Sequence, residues 1–438
     1  MRRILGIELR RSAAVGAVLI LVLAGAVLLY AAPQRWSTGW MSLAMAQREY
    51  LVLLWPLALA AGAWQARREH RSKVAELFAS TARPRAQRMM PTLGAMGVAV
   101  VCAYLAMIAV GVPWIIGTAG YLPATAFVIA AVGGLAMVAA AWLGLAIGRL
   151  LPSPVTAPAL AVAGIGLLMA LSAGQREWLS LVFSPMYGMG QYTDYQTVYG
   201  RVSAAQAVWL AALAGTAALL LASGGWRGRV AALLPAVLGA VVAIVLIPRD
   251  DEFVAHPVDP VAQELVCADN APRVCVSRVH AGLLPEVTPL AEQALAMLAK
   301  LPDPPTTVHE DTTTYYPDTS PPRRADVVLV NVRVDKYGHL AHKATVLPAM
   351  LYAAGANTHG CVGASSTPVA RAAGYWLMGR EPVAEYADEE AEVNAEAVTL
   401  WRGLRSLPES EAAARVAAVR RAALACEDLD GLLSRSAR

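Results

Sequence analysis

Residues 122–147 read LPATAFVIAAVGGLAMVAAAWLGLAI, and no charged side chain interrupts them. A helix rises about 1.5 Å per residue, so a bilayer core of about 30 Å takes about 20 apolar residues. The stretch exceeds that length and decides the fold class: an α-helical membrane domain. Working outward, six further stretches read the same way, at residues 13–32, 50–64, 91–116, 155–171, 203–222 and 230–247. The second and fifth spans are short, so the predicted count is about seven, within a range of six to eight. The first stretch also has the outline of a cleavable signal peptide, with Ala31-Ala32 closing an apolar run. The apolar segments that follow it favour a first span.

Charge divides the chain. Residues 1–247 carry 18 Lys and Arg against 6 Asp and Glu, and residues 248–438 carry 18 against 26, so a +12 part precedes a −8 part. Only 16% of the residues are charged, where soluble domains carry about 25%. The pattern predicts a basic membrane domain over residues 1–247 and an acidic, water-exposed domain over 248–438. The basic residues flank apolar segments, so they do not point to nucleic acid. Arg far outnumbers Lys and Ala is abundant, a composition of GC-rich bacterial genomes.

Loop charge predicts the orientation. With the N-terminus cytoplasmic, the inner segments hold 14 basic residues and the outer loops hold four, Arg35, Arg48, Arg176 and Arg201. Seven crossings then put residues 248–438 outside the cell membrane. Six or eight would leave them inside. Cys102 falls within the third span, while Cys267, Cys275, Cys361 and Cys426 all lie in the C-terminal domain. An even number in an exported domain predicts two disulfides. Close spacing favours Cys267 with Cys275, which leaves Cys361 with Cys426. Four free buried thiols are the alternative.

No Asp, Glu, Lys, Arg or His stands centrally in any span. Ion-coupled transporters keep such groups within the membrane, so ion coupling is disfavoured. The sequence has no G-x-x-x-x-G-K-[ST] loop and therefore no phosphate-binding loop of its own. Gly144 and Gly148 form a G-x-x-x-G, with Gly133-Gly134 earlier in the same stretch. This predicts close helix packing, within the chain or between two subunits.

Residues 67–88 read RREHRSKVAELFASTARPRAQR. Val74, Leu77 and Phe78 stand at i, i+3 and i+4, a short apolar face on a charged helix. A solvated basic loop obeying the positive-inside rule explains part of this. Glu69, Glu76-Leu77, Ser80-Thr81 and Pro84-Arg85 also resemble the cytoplasmic loop of ABC-2 type transporter permeases of the actinobacterial kind. Residues 1–11 (MRRILGIELRR), with Ile4, Leu5 and Leu9 on one face, are similar to that family's interfacial helix. Residues 179–199 are similar to its outer helical insertion. The resemblance covers residues 1–222. It implies that Glu69, Glu76, Leu77, Arg83, Pro84 and Arg85 belong to a coupling helix docking on a separately encoded ATPase. That subunit would bind ATP and Mg, and a second permease subunit, identical or different, would complete the transporter. No cofactor is expected in this chain. The seventh span and the outer domain depart from the six-span family pattern.

The C-terminal domain reads as α+β. Residues 273–279 and 325–334 (ADVVLVNVRV) read as strands and 284–301 as a helix, with a Pro- and Thr-rich loop at 302–322. Helices are predicted at 340–354, 367–379, 383–407 and 408–433. Ser406-Leu-Pro-Glu409 has the form of a capping box, and Ser365-Ser366-Thr367-Pro368 of a hydroxyl-capped helix start. His339, His342 and His359, with Cys361, are residue types that bind zinc, but no H-E-x-x-H occurs and surface histidines explain them more simply. No metal is expected. No G-x-S-x-G elbow occurs either. The order of strands and helices, with Tyr375-Trp376-Leu377 and Glu381 late, is similar to gluzincin peptidase-like domains fused to some bacterial ABC permeases. Their zinc histidines and catalytic Glu are missing here, which implies a non-catalytic relative that binds a peptide or partner.

Two functions remain. The first is the membrane subunit of an ABC exporter. The second is a membrane-anchored extracytoplasmic enzyme, metallopeptidase-like, or sensor.

Overall fold

The computed structural model describes residues 14–71, 85–117, 119–174, 176–186, 189–190, 193–248, 255–269, 271–315, 318–356, 358, 361, 366–383 and 391–434. The chain forms two compact units, residues 1–116 with 122–258, and residues 117–121 with 259–438. The boundary falls near the change of polarity, and the loop at 117–121 joins the C-terminal unit rather than its sequence neighbours.

The first unit is helical. Its helices are α1 (Ala14–Ala31), α2 (Trp40–Glu49), α3 (Leu51–Arg71), α4 (Arg85–Ile115), α5 (Ala124–Leu150), α6 (Thr156–Ser172), α7 (Glu177–Phe183), α8 (Gly200–Ala222), α9 (Gly225–Ala231) and α10 (Leu234–Leu246). An apolar helix lies on each of the seven stretches read from the sequence. Among the described residues four are long and apolar enough to cross a membrane: Ala86–Ile115, Ala124–Leu150, Gly200–Ala222 and Gly225–Leu246. Val15–Ala31, Leu51–Arg67 and Thr156–Ser172 are shorter apolar helices.

Backbone chemistry explains the helices. In hydrocarbon every N–H and C=O must be satisfied within the segment. The outward faces are apolar too: Leu234, Val237, Leu238, Val241 and Val245 of α10 are all exposed. A contiguous face of this kind suits lipid rather than water. Inside, α3 packs on α5 and α6, and α8 on α5 and α10. Gly144 and Gly148 serve that packing within the chain. A Cβ at Gly144 would overlap the Leu59 carbonyl oxygen, one at Gly148 would press on Ala63, and one at Gly62 would overlap the Ala141 carbonyl oxygen. Leu151 and Pro152 end α5, as proline disfavours helix in the residue before it.

One element departs from the sequence reading. Residues 33–49 were expected as an outer loop, but α2 is a helix buried from Met41 to Arg48. The expected helical insertion at 179–199 is helical only through Glu177–Phe183 among the described residues. Residues 1–11 lie outside the described residues.

The second unit is α+β. Strands β1 (Leu265–Cys267), β2 (Arg273–Ser277), β3 (Thr307–Glu310) and β6 (Val327–Val330) form one sheet in the order β1-β2-β3-β6. β1 is antiparallel to β2, while β2–β3 and β3–β6 are parallel. A small hairpin pairs β4 (Thr314–Tyr315) with β5 (Asp318–Thr319). The helices are α11 (Pro260–Gln263), α12 (Leu284–Leu298), α13 (Lys343–Leu351), α14 (Thr367–Met378), α15 (Ala391–Arg405) and α16 (Glu409–Leu424). α12 carries the chain from β2 to β3 and buries Val287, Ala291, Ala294 and Leu298 against Val274, Val276, Val308 and Val328. β3 corrects the expected loop at 302–322.

Both disulfides form as paired by the sequence argument, Cys267–Cys275 and Cys361–Cys426, while Cys102 is free and exposed. The first links directly opposed residues of β1 and β2. The two expected hydroxyl caps do not form. Ser406 Oγ donates back to the Gly403 carbonyl, and Pro408 occupies the cap of α16. Ser366 precedes α14 without a side-chain cap bond.

Candidate functional site

The polar centre of the helical unit is built on α2. Arg48 is fully buried. Its Nε and Nη2 donate to the Pro185 carbonyl at 3.0 and 2.6 Å, Nη2 donates to Gln206 Oε1 at 2.6 Å, and Nη1 donates to the Ile129 carbonyl at 3.3 Å. Gln206 then turns its amide to the end of α7 and the turn after it, with Nε2 donating to Leu181 O at 2.9 Å and Ser184 O at 3.2 Å. One guanidinium thus ties α2 to α5, α8 and the 184–185 turn. Neutral oxygens answer its charge. A buried cation is costly unless its donors are all engaged, and Arg supplies five in a fixed fork.

Backbone shape makes room for it. A Cβ at Gly133 would fall against the Tyr104 ring and the Arg48 side chain. Around the centre, both amide atoms of Gln47 and the Tyr104 hydroxyl are buried without a hydrogen-bond partner among the described residues. Buried polar atoms are ordinarily paired.

On the next face of α2, Ser42, Met45, Ala46 and Glu49 line a cavity of about 270 Å³. Arg35 and Asp194 line it as well, and Arg35 Nη1 meets Glu49 Oε1 at 2.9 Å. The signal for the whole site lay in Gln47-Arg48-Glu49, a polar triplet between apolar runs, and in Gln206, a lone amide in the sixth span.

The expected coupling residues Glu76, Leu77, Arg83 and Pro84 lie outside the described residues. Glu69 stands in α3, and Arg85 begins α4.

In the second unit the histidines are dispersed. His339 Nδ1 meets Glu286 Oε1 at 2.8 Å, and Lys343 Nζ meets Glu286 Oε2 at 2.7 Å. Partial burial pushes the Glu286 carboxyl up. Hydrogen bonds from Lys343, His339 and the Leu340 N–H outweigh that and bring it down to about 2. His342 caps α13 in a left-handed conformation, with φ 49°. His359 lies outside the described residues, and Cys361 is in its disulfide. Among the described residues no three His, Cys, Asp or Glu gather as metal ligands. Tyr375, Trp376 and Leu377 are buried core residues of α14, and Glu381 pairs with Arg402 at 3.2 Å.

A set that the sequence did not reveal is Ser277, His280 and Glu310. Glu310 Oε1 meets His280 Nδ1 at 2.6 Å, its Oε2 accepts the Ser277 N–H at 2.7 Å, and Ser277 Oγ lies 3.2 Å from the same Nδ1. A hydrolytic relay needs serine and acid on opposite ring nitrogens. Here both meet one nitrogen, and all three side chains are buried. The set clamps β2 to β3.

Comparison with protein-family models, with curated proteins and with solved structures returned no match.

Proposed function

We propose that this chain is the membrane-spanning subunit of an ATP-driven exporter, dimeric and powered by a separately encoded ATPase. It crosses a bacterial cell membrane seven times, with its N-terminus inside and its disulfide-bonded unit outside. The observation that carries the reading is the polar centre of the helical unit. Its charge is Arg48, held by neutral oxygens. Arginine keeps its proton at any physiological pH, so this centre does not relay protons, and the driving energy enters from a partner.

The topology has its own support. Residues 117–121 belong to the C-terminal unit, and Tyr121 O–H donates to Asp259 Oδ2 at 2.7 Å. This supports placing the loop between the third and fourth spans on the same side as the start of the C-terminal unit, as the four intervening crossings of the seven-span count would. Two disulfides suit an oxidising exterior. In the outer unit His280, His339 and the buried Ser277 tie elements of the fold together, which favours a partner- or substrate-handling role there over catalysis.

The test is co-purification with the ATPase encoded nearest this gene, before and after Glu76→Lys and Arg83→Glu. Loss of the ATPase in both variants is expected. Equal recovery of every ATPase tried, with and without the charge reversals, would sink the proposal.

A further inference from the structure

The cavity beside α2 has a charge pattern that selects a ligand. Its wall is one face of α2, where Ser42, Met45, Ala46 and Glu49 recur at i, i+3, i+4 and i+7. Arg35, at the end of the short turn Pro33–Arg35, and Asp194 complete the charged set. One cation and two carboxylates therefore face one space. The Arg35–Glu49 pair, 2.9 Å long, leaves the Arg35 side chain 54% exposed and the Glu49 side chain 29% exposed. Pairs this open contribute little stability, so a ligand can separate them at small cost. A purely cationic ligand would meet Arg35, and a purely anionic one would meet Glu49 and Asp194. A molecule carrying both charges exchanges one ion pair for two.

The neutral groups agree. Thr193 also lines the cavity, and its Oγ1 is buried without a hydrogen-bond partner among the described residues. The Thr38 and Ser42 hydroxyls, 2.5 Å apart, bond to each other and can turn to a ligand. Met45 and Met189 give an apolar floor that adapts to shape. The cavity's 270 Å³ equals the liquid volume of about nine waters, the scale of a molecule with about eight heavy atoms.

We infer that this cavity binds a small zwitterion, with a primary ammonium held by Glu49 and Asp194 and an anionic group held by Arg35. Free solute and the headgroup of an aminophospholipid share that chemistry. The inference stands on the cavity and needs no ATPase, so its failure leaves the exporter proposal in place.

The experiment uses the purified full chain in detergent, titrated with O-phosphoethanolamine, with ethanolamine and with inorganic phosphate, reading heat of binding and thermal stability. A second arm compares nanodiscs with and without phosphatidylethanolamine. Binding of O-phosphoethanolamine at least about 10-fold tighter than either half-ligand is expected. Stabilisation by the phosphatidylethanolamine nanodiscs alone would identify the lipid headgroup as the source and uphold the assignment. Glu49→Gln and Arg35→Gln should each weaken binding at least about 10-fold. Gly190→Leu fills the wall without touching the charges, since a Cβ at Gly190 meets no atom within 4 Å. It should abolish binding while keeping thermal stability, which covers the case where a charge variant misfolds. Equal affinity for the half-ligands, no binding in either arm, or undiminished binding by all three variants would overturn the inference.

Discussion

The two disulfides should differ in what they contribute, and by an amount set by loop length. A cross-link stabilises largely by removing freedom from the unfolded chain, more so for longer loops. Cys267–Cys275 closes a separation of 8 residues and Cys361–Cys426 one of 65. The loop-entropy relation then gives about 2.5 kcal/mol for the first and about 4.3 kcal/mol for the second. For a unit of this size the losses amount to about 5–10 °C and about 8–17 °C in midpoint. The longer loop encloses α14, α15 and α16, so its removal should loosen those helices first. The perturbation is the paired Ala variant of each disulfide in the full chain. Pulse proteolysis during heating, read by mass spectrometry of peptides from residues 259–438, reports the unit itself. Reduction of the unaltered chain is the control that leaves side-chain volumes unchanged. The reasoning is refuted if the short-loop pair costs as much as the long-loop pair. Free thiols at either pair, after alkylation in intact cells, would refute the outward placement of the unit.

Other outcomes follow from single contacts. Arg48→Met strips its donor from Pro185 O, Ile129 O and Gln206 Oε1 and should cost about 1–3 kcal/mol for each acceptor left unpaired, read as detergent thermal stability. Arg48→Lys should recover less than half of that, because one ammonium does not span the three acceptors; a fully stable Lys variant would contradict the geometry. Gly144→Ala drives a methyl into the Leu59 carbonyl oxygen and should cost about 1–3 kcal/mol. Gly215→Ala, with nothing within 4 Å, should be neutral or stabilising by up to about 1 kcal/mol on the same assay. Glu286 has its carboxyl lowered from 4.5 to about 2. Its contribution is therefore complete above pH 4.5 and lost as pH falls from there through about 2. Glu286→Gln should remove about 1 kcal/mol of that acid sensitivity, a small value because solvent screens the site. An unchanged acid-denaturation slope would refute the role.

The membrane helices were legible because lipid leaves the backbone one economical solution, and an uninterrupted apolar run announces it. Gly144 and Gly148 were legible as a packing motif, though only the structure assigns them to the contact with α3. The cysteine pairing was legible because Cys102 sits in an apolar stretch and close spacing joins Cys267 to Cys275. What escaped had long-range causes. β3 reads as a loop because Pro304-Pro305 and Thr306 precede it, Thr307 opens it and Glu310 ends it. Glu310 is tolerated, buried at the end of an inner strand, because His280, 30 residues earlier, and the Ser277 N–H engage both its oxygens. No local pattern carries that partnership. Ser406 satisfies the sequence form of a capping box, yet its hydroxyl bonds Gly403 O within the preceding helix. Local rules fail where a residue has two partners within reach.

The same argument explains where the helical unit keeps its charge. Ionised groups within spans would face hydrocarbon unless paired, and the spans avoid them. Arg48 stands instead on α2, a 10-residue helix between the first and second spans, where it reaches α5 through Ile129 O and α8 through Gln206. α5 and α8 are among the most extensively packed pairs in the unit. Their apolar contact can slide gradually, since each dispersion contact contributes little. The Arg48 contact cannot, because a displaced guanidinium leaves buried oxygens unpaired at about 1–3 kcal/mol each. A relative shift of α5 and α8 therefore meets one discrete step in an otherwise smooth interface. If the proposed function holds, that step would give two helix arrangements separate identities, and Arg48 with Gln206 is where a variant would blur them.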